Sequence, residues 1–572
     1  MKKLVCIVLA LLLLAGCGSE PEATKETTPK ELTAQIGGET LTFLPWEEAG
    51  VPSSGNYFLT QDVELEGKVT VSGDLKLHLN GHTVIAKSGV IMGNLFYIPA
   101  GASMTVYDVP AEVDLVNEYD PEDREAEIEI PGGRICSNRS FSGMMSVSSM
   151  FMVEGQLTLA GGHVDASQMN IEDRANGMAV YVAEGGHVDV TGGIITGGTA
   201  WSFLEELGEP VDPNDTPQTP TEGTGSTDPT ATTAAPTTAP TTAPAETQPP
   251  QTVEAALGFG LGGAIYVDKG ASCTVSGGTI WKGSAAFGGN IYVAGDEEGK
   301  GLLTVTGGTL LAGEATNSGG NICVNGQLEM SDGLLLYGRS YGHGGNIFLS
   351  GDLKMTGGTL QAGACDVNGV ANKRGGNLAV NGLNATVSIT NTTILDGTAA
   401  CKETHGGNIA CFGNGAKEFL VGEGTVITGG LGHRGGNLYI GHFVKTVPEE
   451  NMDYTFTGVT LGDGSTTYRG SNMCCDTKDV NRRIQVTFND CTTSVEDATE
   501  LNLAIGAGAY DVTQCDVFIN GGNWNDGGIH IYGSATVTAN GVTFDGCEAS
   551  GTGLYTATDC TNLNVPAVEE IQ

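Results

Sequence analysis

Apolar and polar residues alternate with a period of two in short runs along most of this chain, and glycine breaks the runs. LTVTGGTLLAG (303–313), LKMTGGTLQAG (353–363) and CTVSGGTIWKG (273–283) each read as a short strand, a glycine turn and a second short strand. A third apolar stretch of the Ile-x-Val type precedes each pair, as at Ile291–Val293 and Ile322–Val324. No helical period lies between them. The pattern predicts three short strands per unit, with glycine supplying the turns.

The units repeat. Aligned on Gly-Gly-Asn, they place Asn290, Asn321, Asn346, Asn377, Asn408, Asn437 and, more weakly, Asn472 at one position. Ala179 and Ala264 hold that position upstream, Asn502 and Gly528 downstream, and the steps from Ala264 to Gly528 run from 25 to 35 residues. Self-similarity at such a period marks a solenoid, and three strands per coil describe a parallel β-helix with neighbouring coils about 4.8 Å apart. The absence of proline between Pro250 and Pro448 fits a backbone committed to ladders. The glycines are expected to take turn conformations closed to other residues. Asparagine is expected both to tolerate the left-handed region and to form a side-chain ladder along the rod.

These motifs resemble the right-handed parallel β-helix proteins of the pectate-lyase-like superfamily. LTQDVELEGKVTVSGDLKLHLNGHTVIAKSG (59–89), especially LHLNGHTV (77–84), is similar to the first coils of bacterial surface proteins of that group. GGAI (262–265) is similar to a repeat of the polymorphic membrane-protein adhesins. The resemblance spans roughly residues 55 to 560 and implies an all-β, right-handed, single-stranded solenoid. The Asp cluster that holds calcium in the enzymes of the group, and their arginine-containing catalytic pattern, do not recur at matching coil positions.

The segments outside the coils change the picture in other ways. Residues 1–17 have two lysines, an apolar run too short to span a bilayer, and Leu14-Ala15-Gly16-Cys17, which resembles a bacterial lipobox. That resemblance implies lipidation at Cys17, a place outside the cytoplasm and anchoring at the cell surface. Residues 18–45 read as a flexible tether, 46–203 as N-terminal coils with a projecting acidic loop at 109–140, 257–560 as the main β-helix, and 561–572 as a tail. Residues 204–256 hold ten of the twenty prolines and no lysine or arginine, a Thr/Pro-rich insertion expected to be disordered.

Formal net charge is −41, from 26 basic and 67 acidic residues, which disfavours nucleic acid and anionic lipid as partners. Fourteen cysteines form no zinc-type spacing, and neither a metal nor another cofactor is indicated. Against this background one column stands out. Three residues before the aligned asparagines stand Phe287, Ser318, His343, Arg374, His405, Arg434 and Arg469. Five successive coils thus carry a basic residue, a stripe roughly 19 Å long. Tyr292, Phe348 and Tyr439 are expected to point outward nearby. Guanidinium groups beside aromatic faces suit an acidic polysaccharide or another cell-surface component. The alternatives are a polysaccharide lyase or glycoside hydrolase acting on an acidic glycan, and a structural rod without a small ligand.

Overall fold

The computed structural model describes residues 31–36, 39–46, 52–86, 94–109, 113–137, 149–169, 176–200, 260–365, 373–442, 452–477, 484–495, 502–505, 515–525 and 527–562. The leader with Cys17, the 204–256 insertion and the last ten residues lie outside them. The chain winds as a parallel β-helix, and nearly every strand pairs with the strand one coil before and one coil after it. Leu378–Ile389, for example, takes Ile347–Leu349 and Asp352–Met355 on one side and Ile409–Val421 on the other. Among the described residues no helix is long and apolar enough to cross a membrane.

Strand period two sends alternate side chains inward. Ile265, Ile291, Ile322, Ile347, Leu378, Ile409 and Leu438 form one inward column, all 0–2% exposed. Larger rings stack in the same manner, Phe96 on Phe151 at 5.3 Å and Phe456 on Phe488 at 5.0 Å. Such columns bury apolar area along the whole length of the rod, at about 25 cal/mol per Å².

The asparagine ladder is continuous. Each side-chain Nδ2 donates to the Oδ1 one coil later, from Asn290 to Asn321 and on through Asn346, Asn377, Asn408, Asn437 and Asn472 to Asn502, at 2.6–3.0 Å. Each Oδ1 from Asn290 to Asn472 also accepts a glycine amide, that of Gly363 for Asn377 at 3.0 Å. The second N–H of Asn377 reaches the Leu395 carbonyl at 2.8 Å. The ladder asparagines do not adopt positive φ, so the left-handed expectation for them is corrected. That conformation falls instead on Lys282, Ala312, Tyr337, Ala362, Asp396 and Asp463, and the asparagine is there for its amide. The glycines are required: Gly344 has φ 67°, and a Cβ on Gly345 would stand 2.2 Å from the Ala364 amide nitrogen.

Three features differ from the sequence expectations. Part of the tether is ordered: Leu32–Ile36 pairs antiparallel with Glu39–Pro45, which joins the first coil in parallel and covers that end of the rod. Residues 113–137 of the acidic loop do not project but lie along the outer face. Leu115 and Tyr119 are buried against Ile194, Trp281, Leu311 and Leu336, while Arg124 donates to the carbonyls of Ala312 and Tyr337 at 3.4 Å. Third, some coils carry a fourth short strand just before Gly-Gly-Asn, as at Ser284–Phe287, Glu314–Ser318, Leu431–Arg434 and Ser465–Arg469. Across the 204–256 insertion the ladders run on, with Val180 opposite Ile265, His187 opposite Ser272 and Ile194 opposite Thr279.

Candidate ligand-binding face

The basic column follows from that fourth strand and the bridges that continue it. Phe287, Ser318, His343, Arg374, His405, Arg434 and Arg469 pair one to the next in parallel register, preceded by Asn176 and Leu261. The seven residues aligned in the sequence therefore stand in single file. One residue per coil at a shared turn leaves each side chain between the same neighbours, the residues one coil away and the outward ring of the next strand.

The charge in this file differs from the expectation of five cations. Burial, with Arg374 and Lys373 beside it, pushes the His343 imidazole down to about 3. Burial, with Arg374 and Arg434 on either side, takes His405 to about 2. Both rings are neutral at neutral pH, so the cations of the file are Arg374, Arg434 and Arg469. His343 lies 4.5 Å from the Phe412 ring and His405 4.5 Å from Tyr439. The Nδ1 atoms of both histidines are buried without a hydrogen-bond partner among the described residues.

Each arginine has a different setting. Arg374 lies over Phe412, its guanidinium carbon 5.0 Å from the ring centre. Arg434 forms an ion pair with Asp476, whose side chain is 1% exposed, and lies 5.4 Å from the Tyr468 ring. Arg469 is held between two rings, Tyr468 at 4.5 Å and Tyr532 at 4.4 Å. Among the described residues no carboxylate forms an ion pair with Arg469, no side-chain hydrogen bond engages its guanidinium, and none of its nitrogens is buried. Its guanidinium lies between two rings, and the residue is partly exposed.

The expected aromatic partners are placed otherwise. Tyr292 and Tyr439 do point away from the coil interior, yet they are 2% and 0% exposed, beneath side chains of neighbouring turns. Tyr292 belongs to a stack with Tyr181 and Tyr266, at ring separations of 4.9 and 5.5 Å, several coils before the arginines. Phe348 is half-buried, 6.3 Å from His343. The rings that meet the arginines are Phe412, Tyr468 and Tyr532, which repeat alignment does not single out. Only Tyr468 carried a local signal, being adjacent to Arg469, and it is 49% exposed. His433 stacks on Tyr468 at 5.2 Å and 18°.

Among the described residues no group of His, Cys, Asp and Glu is arranged to hold a metal ion. The twelve described cysteines are free thiols, and burial pushes Cys273 and Cys411 up to about 12, which leaves them inert. No family model matches the chain, nor does any curated protein or solved structure.

Proposed function

We propose that this protein is a lipid-anchored, extracytoplasmic β-helix that binds an acidic polysaccharide along the arginine file, with Arg469 as the principal anchor. The observation that carries this reading is the setting of Arg469: held between two rings, partly exposed, and among the described residues without a carboxylate in ion-pair contact, in a chain of net charge −41. A cation arranged for fold stability would be expected to meet one of the many acidic side chains, as Arg434 does with Asp476. Planar guanidinium donors match carboxylate and sulfate oxygens in bidentate fashion. The linear repeat of the file suits a polymer, and Cys17 in its lipobox-like context supports the surface location.

Purified full-length chain would be titrated with polygalacturonate, chondroitin sulfate and neutral dextran at two salt concentrations. Salt-sensitive binding of an acidic polymer, absent for dextran and weakened in Arg469→Ala, is the expected result. A chain that binds none of the three, or that binds acidic polymers equally well as Arg469→Ala, would overturn the reading and leave a structural rod. Release of unsaturated or reducing ends from a bound polymer would move the assignment to a lyase or hydrolase.

A further inference from the structure

On another face, in the coils either side of the 204–256 insertion, three side chains are joined by hydrogen bonds. His187 and Asp189 are two apart on the strand His187–Val190, so both side chains leave the same face. Ser272, on the strand Ser272–Val275, stands directly opposite His187 in the next coil. The Ser272 hydroxyl is 2.7 Å from His187 Nδ1, and His187 Nε2 is 2.9 Å from Asp189 Oδ1. From the coil before, Gln156 Nε2 donates to the other carboxylate oxygen at 3.4 Å. With Nε2–H donated to Asp189, the Nδ1 lone pair faces the serine. Asp189 fixes that tautomer, and Gln156 in turn holds Asp189. His187 and Asp189 side chains are 35% and 27% exposed, so solutes reach them.

From this arrangement we propose that Ser272 is a nucleophile for activated carboxylic esters, with His187 as its base and Asp189 as a positioning residue. Ser272 Oγ bonds to the ester carbonyl carbon while its proton passes to His187 Nδ1. The carbon–oxygen bond to the alcohol breaks, and the alcohol leaves with that proton. Water then repeats the sequence on the acyl-serine, releasing the acid and restoring the hydroxyl. The Ser272 amide is committed to the Gly186 carbonyl at 3.1 Å and does not serve the oxyanion. A missing oxyanion donor costs about 10²–10³ in rate, which restricts the activity to esters with good leaving groups. This activity is independent of polysaccharide binding and needs none of the arginines.

The test is incubation of the full chain with p-nitrophenyl acetate, followed by peptide mass analysis and release of p-nitrophenolate. The expected result is one acetyl group on the peptide bearing Ser272, none there in Ser272→Ala, and a rate at least tenfold lower in His187→Gln. Gln156 already occupies that register position one coil earlier, so glutamine fits the column. Asp189→Asn is expected to slow acetylation several-fold without changing the site labelled or the melting temperature. Acetylation of Ser272 at the same rate in His187→Gln, or a parent that neither carries an acetyl group on Ser272 nor releases p-nitrophenolate faster than Ser272→Ala, would overturn the proposal.

Discussion

The two halves of the rod share one backbone and differ in what they hang on it. In the coils around Tyr181, Tyr266 and Tyr292, the outward column is a stack of tyrosines, and Tyr181 donates to Asp268 at 2.8 Å. Burial and Asp268 raise the Tyr181 phenol well above its ordinary range, so it stays a neutral donor. The file before Gly-Gly-Asn is uncharged here, with Leu261, Phe287 and Ser318. Three coils after Tyr292, the same two columns begin to hold Ala379, Ala410 and Tyr439 beside Arg374, His405 and Arg434. Beside the small outward residues Ala379 and Ala410, Phe412 packs into the same cluster and Arg374 lies over it. The frame of glycine and asparagine is thus separable from the chemistry, and in this file the arginines stand only in the second half.

That separation can be broken first at the frame. Asn377→Ala strands two buried donors, the Gly363 N–H and one N–H of the Asn346 amide, and breaks the ladder bond to Asn408, whose oxygen keeps the Gly397 amide; the Leu395 carbonyl keeps that of Ala362. At about 1–3 kcal/mol for each of the two stranded donors, the expected loss is about 4 kcal/mol. Urea unfolding would measure it, and a loss near zero would remove the ladder from the account.

The next largest effect separates two arginines. Arg434→Ala takes the counter-charge from the buried Asp476 carboxylate and is expected to destabilise the chain by about 3 kcal/mol. Arg469→Ala, touching only rings, is expected to change stability by less than about 1 kcal/mol. Thermal melts of the pair test this, and equal losses would show that the two arginines play one role.

The histidines add a term that appears only on acidification. The folded pKa of His405, about 2, lies below the unfolded value of about 6.5. In that window the unfolded chain binds the extra proton. The stabilisation is therefore full above pH 6.5 and is lost as pH falls towards 2, by up to about 1.4 kcal/mol per unit. His405→Asn should flatten that limb of the stability profile, whereas an unchanged slope would locate the acid sensitivity elsewhere. Binding is expected to change less than the frame does: Arg469→Ala should weaken an acidic polysaccharide about tenfold, or about 1.4 kcal/mol.

Much of the frame was legible in the sequence because it is local and repeated. Gly344, Gly345 and Asn346 recur in order, and their causes, a positive φ, a close approach and an amide ladder, act at the same place in each coil. The register of His343 through Arg469 followed from the same alignment. What the arginines and histidines touch was not legible. Phe412 meets His343 and Arg374 from beyond its own coil's Gly-Gly-Asn, and Tyr532 reaches Arg469 across 63 positions of sequence. Burial of His405 depends on such neighbours, so a residue that counts as basic by type is neutral in place. The acidic loop misled for a related reason. Its charge suggested solvent, whereas Leu115 and Tyr119 find an apolar strip made by Trp281, Leu311 and Leu336 of later coils.

The contrast between the halves is tested most directly by hydrogen–deuterium exchange of the full chain with and without a saturating acidic polysaccharide. Protection is expected around 431–442 and 465–473, where Arg434, Tyr468 and Arg469 stand, with no change over the tyrosine stack at 265–267 and 291–293. Protection centred on the tyrosine half, or an exchange pattern unaltered by bound polymer, would contradict the assignment of the arginine half as the binding face.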